Sequence, residues 1–155
     1  MRRAEREITD PAQIAAFLAQ EQILRVGFYD NGEIYIVPVN YGYTCENGRY
    51  TFYFHGASAG RKYELAQHSP RVGFEIDGNY APLPHETACG YSAKYTGIIG
   101  TGILEIIRDD AEKRAGLDCI MRQVTGKIHW EYTDTRLHAV TVFRLTADKL
   151  TCKGK

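Results

Sequence analysis

Two Asn-Gly dipeptides, each preceded by an acidic residue, constrain this chain most: Asp30-Asn31-Gly32 and Glu46-Asn47-Gly48. A two-residue hairpin turn whose twist matches its strands needs positive φ at both central positions, and Asn-Gly meets that need at low steric cost. The flanking segments, Ile23 to Tyr29, Glu33 to Tyr43 and Tyr50 to Phe54, are rich in β-branched and aromatic residues. Three strands joined by two such turns predict an antiparallel meander. Pro38 lies inside the second strand and has no N–H for a ladder, so an edge, a bulge or a ligand-facing gap is expected there.

The rest of the chain fits around that meander. Charged residues from Met1 to Ile8 are expected to form a flexible arm. Asp10-Pro11-Ala12-Gln13 opens a helix whose apolar face is Ile14, Phe17 and Leu18. After Phe54 comes a Gly56-Ala57-Ser58-Ala59-Gly60 loop, then a short helix that ends near His68-Ser69-Pro70. Arg71 to Asp77 reads as a fourth strand and residues 79–90, with Pro82 and Pro84, as an irregular loop. Tyr91 to Ile107 supplies one long strand, or two around Gly100 and Gly102. Asp109 or Asp110 starts a second long helix, with Leu117, Ile120, Met121 and Val124 on one face and Gly126 closing it. Residues 127–136 read as a loop and Ala139 to Leu145 as a last strand. The expected fold is mainly β: one domain of 155 residues, a small antiparallel barrel with a few helices. Strands do not alternate with full-length helices, which disfavours a Rossmann arrangement.

Nineteen basic residues balance nineteen acidic ones, so no whole-molecule field recruits nucleic acid or an anionic membrane. The longest apolar runs are too short to span a bilayer. Cys45, Cys89, Cys119 and Cys152 are scattered with no Cys-x-x-Cys pair, and no apolar leader precedes a cleavage site, so reduced thiols and a cytoplasmic location are expected. His85 and Cys89 are four apart, but Pro82 and Pro84 oppose a helix there, and no metal site is expected.

Electrostatics single out Arg61 and Lys62. Two cations in the first turn of a helix oppose its dipole. A bound phosphate would reverse that sign, because free N–H groups, the dipole and both side chains would face one anion. The alternative is an ordinary solvated charged face. His55, at the end of the aromatic strand, has a side chain that titrates near neutrality and could give a hydrogen bond or proton to a reactant. The aromatic segment His129 to Tyr132 reads either as packing at the barrel mouth or as a lid.

Several segments resemble, in order, the flavin-binding split barrels of the pyridoxamine 5'-phosphate oxidase type, in particular their nitroimidazole-resistance branch. They are Val37-Pro38-Val39-Asn40-Tyr41-Gly42-Tyr43, Tyr53-Phe54-His55-Gly56-Ala57, Gly60-Arg61-Lys62, Ser69-Pro70-Arg71-Val72 and the run from Tyr91 to Gly102. The resemblance implies a homodimer of split β-barrels with FMN in a groove at the dimer interface. It implies that Val37, Pro38, Val39 and Asn40 run beside the flavin ring, and that Gly60, Arg61 and Lys62 hold the phosphate with Ser58 as hydroxyl partner. Ser92, Tyr95, Thr96 and Ile98 would approach from the second subunit, and His55 would lie by the ring as a catalytic group. Where the family often has Tyr-x-Ser-Val, this chain has Tyr95-Thr96-Gly97-Ile98, and its ending lacks the arginine-rich segment that grips vitamin B6 substrates. The expected activity is therefore an FMN-dependent oxidoreductase acting on nitroaromatic or other small electron acceptors. The alternatives are a flavin-nucleotide carrier or sensor without turnover, and a split barrel that takes a deazaflavin or haem.

Overall fold

A computed structural model of the chain describes residues 4–155. Its strands are β1 (Glu7–Ile8), β2 (Ile23–Asp30), β3 (Glu33–Asn40), β4 (Gly42–Glu46), β5 (Arg49–Gly56), β6 (Arg71–Leu83), β7 (Ser92–Ile107) and β8 (Thr141–Gly154). The α-helices are α1 (Pro11–Gln20), α2 (Arg61–His68), α3 (Asp110–Thr125) and α4 (Asp134–Ala139). All strand pairings are antiparallel, in the order β3-β2-β6-β7-β8-β5-β4, with β1 added against β8.

The two ends of that path, β3 and β4, are consecutive in the chain with Tyr41 alone between them. The sheet thus closes into a barrel through the covalent chain instead of through a ladder, and this makes the barrel split. Both Asn-Gly turns take the expected left-handed geometry, with φ of 49° and 96° at Asn31 and Gly32 and of 52° and 78° at Asn47 and Gly48. The two hairpins form as the turns require, but the long middle strand breaks at Tyr41. Its first half pairs with β2 and its second with β5.

Inward residues alternate along each strand: Leu24, Val26 and Phe28 on β2, Tyr50, Phe52 and Phe54 on β5, Val72, Phe74 and Ile76 on β6. Phe52 sits at the centre, its ring 5.2 Å from that of Phe74 and 5.8 Å from that of Tyr41. Tyr41 is wholly buried, and its hydroxyl donates to the Leu18 carbonyl at 2.8 Å, so α1 closes one barrel end with no orphaned polar group. Asp10 caps α1, accepting from the Ala12 N–H at 3.0 Å, and Ile14, Phe17 and Leu18 are the buried face. α3 starts under an Asp109 cap and lies across the outside of β4 and β5.

Several boundaries differ from the sequence expectation. Residues 1–3 of the expected arm lie outside the described residues, and Glu7 and Ile8 pair with Lys153 and Cys152. The expected loop after Asp77 is strand as far as Leu83, because an irregularity at Gly78–Ala81, with Asn79 at φ 55°, absorbs the turn signals. β7 is one strand, and the loop expected at 127–136 is found but ends at Thr133, just before α4. β8 runs far beyond Leu145. Ala147 faces Gly102 and Lys149 faces Thr101, so Asp148 is an extra residue that flips the alternation from Leu145 and Ala147 to Leu150 and Cys152. Thr101 donates to Asp148 at 2.6 Å and Arg71 pairs with it at 2.8 Å, which pins the bulge and holds its carboxyl below the usual range. All four cysteines are free thiols. Among the described residues, no helix is long and apolar enough to cross a membrane.

The α3–barrel contact depends on Gly42. A Cβ there would lie 2.3 Å from the backbone carbon and oxygen of Cys119. Gly42→Ala should therefore force the helix off the sheet and cost about 3 kcal/mol. Gly48→Ala meets no atom and should cost about 1 kcal/mol, from its positive φ alone. Urea denaturation midpoints check the order; equal losses would contradict the close contact.

Candidate functional site

The loop from Ala57 to Gly60 connects the end of β5 to α2, and the candidate site is built on it. β5 is held there by β8, with His55 opposite Val142 and Gly56 opposite Thr141. Gly60 takes φ 97°, open to glycine at no steric cost, and occupies the position before the first helical residue. No side chain caps α2, whereas Asp10, Asp109 and Thr133 cap α1, α3 and α4. The first-turn N–H groups of α2 therefore have no side-chain acceptor.

Lys62 is the unusual group. Its ammonium is half-buried, 5.6 and 5.3 Å from the ring centroids of Phe54 and Phe143, and donates to the His55 carbonyl at 3.5 Å. Among the described residues no carboxylate pairs with it, and burial pushes its pKa down. Ser58 accepts from the Thr141 hydroxyl at 2.9 Å, which leaves the Ser58 proton free to be given elsewhere.

Arg61 is engaged in a way that sequence did not foresee. Its Nε donates to Asp30 and a terminal nitrogen to Glu33, both at 2.8 Å, while the guanidinium lies 4.7 Å above the Tyr35 ring. These carboxylates flank the first Asn-Gly turn, about thirty residues away. Part of the charge imbalance at the start of α2 is thus relieved within the fold. One terminal nitrogen of Arg61 takes no part in these bonds and keeps its donors.

The His55 side chain faces α3 and α4 and keeps part of its ring in solvent. Partial burial first, and the Lys62 charge second, lower its pKa, so the imidazole is neutral at pH 7. On β3, Val37 and Val39 pack against the core, while Pro38 and Asn40 are exposed and Asn40 donates to the Gln22 carbonyl at 3.2 Å. β3 ends the sheet path, so it is an edge, as Pro38 suggested.

Ser92, Tyr95 and Thr96 form a separate group at the start of β7, beside the end of β8. Lys155 donates to Ser92, Tyr95 and Lys155 exchange backbone bonds at 3.0 and 3.3 Å, and Asn79 donates to Thr96 at 3.1 Å. Ile98 is fully buried in the core. The end of the His129 to Tyr132 segment is tied to α3: the Tyr132 hydroxyl donates to Asp118 at 2.8 Å and Arg114 donates to the Tyr132 carbonyl. The outer face of β3, β2 and β7 carries exposed apolar side chains, among them Tyr29, Ile34, Ile36 and Ile99.

Residues 10–154 match the family model described as pyridoxamine 5'-phosphate oxidase. Among solved structures, a candidate 5-nitroimidazole antibiotic resistance protein from Bacteroides thetaiotaomicron is 30% identical, with a TM-score of 0.82 over 96% of this chain and 86% of that one. A flavocytochrome from Azotobacter vinelandii is 20% identical (TM-score 0.81, covering 100% of this chain and 72% of that one). An FAD- and haem-binding protein from Mycobacterium smegmatis is 16% identical (0.83, 97% and 73%). The last two share the fold. No curated protein matches the chain at a significant level.

The lowered His55 pKa has a stated sign. Above its ordinary value of 6.5 the ring is neutral folded or unfolded and contributes nothing to pH dependence. As pH falls below 6.5 the unfolded chain takes up the proton first, so stability is lost until the folded pKa is passed. An NMR titration of the His55 ring should give a midpoint below 6.5, and Lys62→Met should raise it. A midpoint unmoved by that variant would remove Lys62 as a cause.

Proposed function

Because this chain belongs to the pyridoxamine 5'-phosphate oxidase family, we propose that it binds FMN with the phosphate at the start of α2 and works as a flavin-dependent oxidoreductase. The observation that carries this reading is Lys62: a half-buried ammonium without a carboxylate, beside the one α-helix start among the described residues that no side chain caps. A dianionic phosphate fits those groups. It would accept from the first-turn N–H groups, the Ser58 hydroxyl, Lys62 and the uncommitted nitrogen of Arg61. Asp30 and Glu33 would hold the Arg61 fork in orientation and, being anionic, would moderate the affinity.

Bound flavin would supply the electron chemistry, and the protein supplies anchoring, orientation and a pocket. The free edge of β3 at Val37 to Asn40 offers backbone groups to the polar edge of a ring. His55, neutral at pH 7, is suited to hydrogen-bond a small acceptor as it gains charge. The exposed apolar side chains Tyr29, Ile34 and Ile36 on the adjacent strands β2 and β3 support a homodimer, in which Ser92, Tyr95 and Thr96 of a second copy would complete the site. The 30% identity to the Bacteroides protein favours nitroaromatic compounds as acceptors.

The visible spectrum tests the cofactor. The purified protein, or protein mixed with FMN and desalted, should carry flavin absorption. Arg61→Ala with Lys62→Ala should weaken FMN binding by about 100-fold or more at unchanged far-UV circular dichroism. Full retention by that variant would place the phosphate elsewhere. For the loaded protein, anaerobic NADPH or NADH with a nitroaromatic should give bleaching and a reduced product; bound flavin without either would mark a carrier.

A further inference from the structure

A cavity of about 260 Å³ lies between α3, α4 and the outer face of β5. Its walls are aliphatic: Leu117, Ile120, Met121, Leu137 and Val140. Ile120 and Leu137 are buried, but Leu117 and Met121 are only half so, because what they face is the cavity and not more protein. Such walls offer water few hydrogen bonds. An apolar cavity of about 150 Å³ already takes benzene, so this one has room for a single aromatic ring with a short substituent.

Three polar side chains complete the lining. The Tyr132 hydroxyl donates a hydrogen bond to Asp118, and burial pushes its phenol pKa up, so it stays neutral and presents its ring. His55 is neutral at pH 7 and can donate or accept one hydrogen bond. Arg136, an exposed side chain, supplies a charge at the edge of this otherwise apolar wall. Among the described residues its guanidinium has no carboxylate partner, whereas Arg114 pairs with Asp134, Asp118 accepts from Tyr132, and the Lys113 ammonium donates to the Leu137 carbonyl. An apolar slot with one uncommitted guanidinium is complementary to a planar apolar body carrying one carboxylate, which arginine grips with two parallel bonds.

We propose that this cavity is a binding site for a small monocyclic aromatic carboxylate, its ring among Leu117, Met121 and Leu137 and its carboxylate on Arg136 with His55 as second partner.

The probes are benzoate and benzyl alcohol, titrated into the full chain as purified and followed by protein-observed NMR and calorimetry. Benzoate should bind about tenfold or more tightly than benzyl alcohol, and Arg136→Gln should erase that preference. Met121→Trp should fill the slot and abolish both; if it fails to fold, Leu117→Phe serves the same purpose. The site is overturned if folded wild-type protein binds neither probe, if it binds the alcohol as tightly as the acid, or if a folded cavity-filling variant binds both unchanged. Benzoate binding is read directly and needs no electron transfer, so failure here would leave the flavin assignment standing.

Discussion

Everything in this molecule depends on how the chain passes Tyr41. There a single strand leaves β2 and joins β5, so two hairpins that are neighbours in sequence become the two ends of one sheet path. A buried phenol is costly unless its hydroxyl is satisfied, and Leu18 on α1 meets that requirement. The ring packs edge-on against Phe52 at the core centre, which fixes the angle between the two half-strands. Closure by a buried aromatic instead of by a ladder leaves β3 with a free edge. That edge, and the turn before it, form one side of the candidate site.

The same closure sets the charges at α2. The turn between β2 and β3 brings Asp30 and Glu33 to Arg61, while the end of β5 brings Lys62 over the stacked rings of Phe54 and Phe143. Two carboxylates and two cations sum to zero, but they are not evenly matched in space. Arg61 holds both carboxylates and Lys62 holds none. The unbalanced group is thus the half-buried one, where an added anion meets the lowest local dielectric and gains most. Around the corner, His55 joins this charge to the aliphatic cavity under α3 and α4, its carbonyl on Lys62 and its ring in the cavity wall.

Much of this was legible in the residues. The Asn-Gly turns specify φ directly, so both hairpins formed where expected. The Arg61/Lys62 pair violates the helix dipole, which marks α2 without any alignment. Other features were hidden because their cause is tertiary. Nothing local indicates that Asp30 and Glu33 lie beside Arg61. The bulge at Asp148 shifts the two-residue period, so a reader of alternation stops at Leu145 although the strand continues to Gly154. Arg136 and Tyr132 looked like loop residues; their common wall exists only once α4 folds back on α3.

The direct measure of the phosphate anchor is the affinity of the protein for FMN against that for riboflavin, which lacks the phosphate. If Lys62, Arg61 and the open start of α2 hold that group, FMN should bind about 100-fold or more tightly, with the difference shrinking as salt is raised. Equal affinity for the two flavins would contradict the account, whatever the colour of the protein.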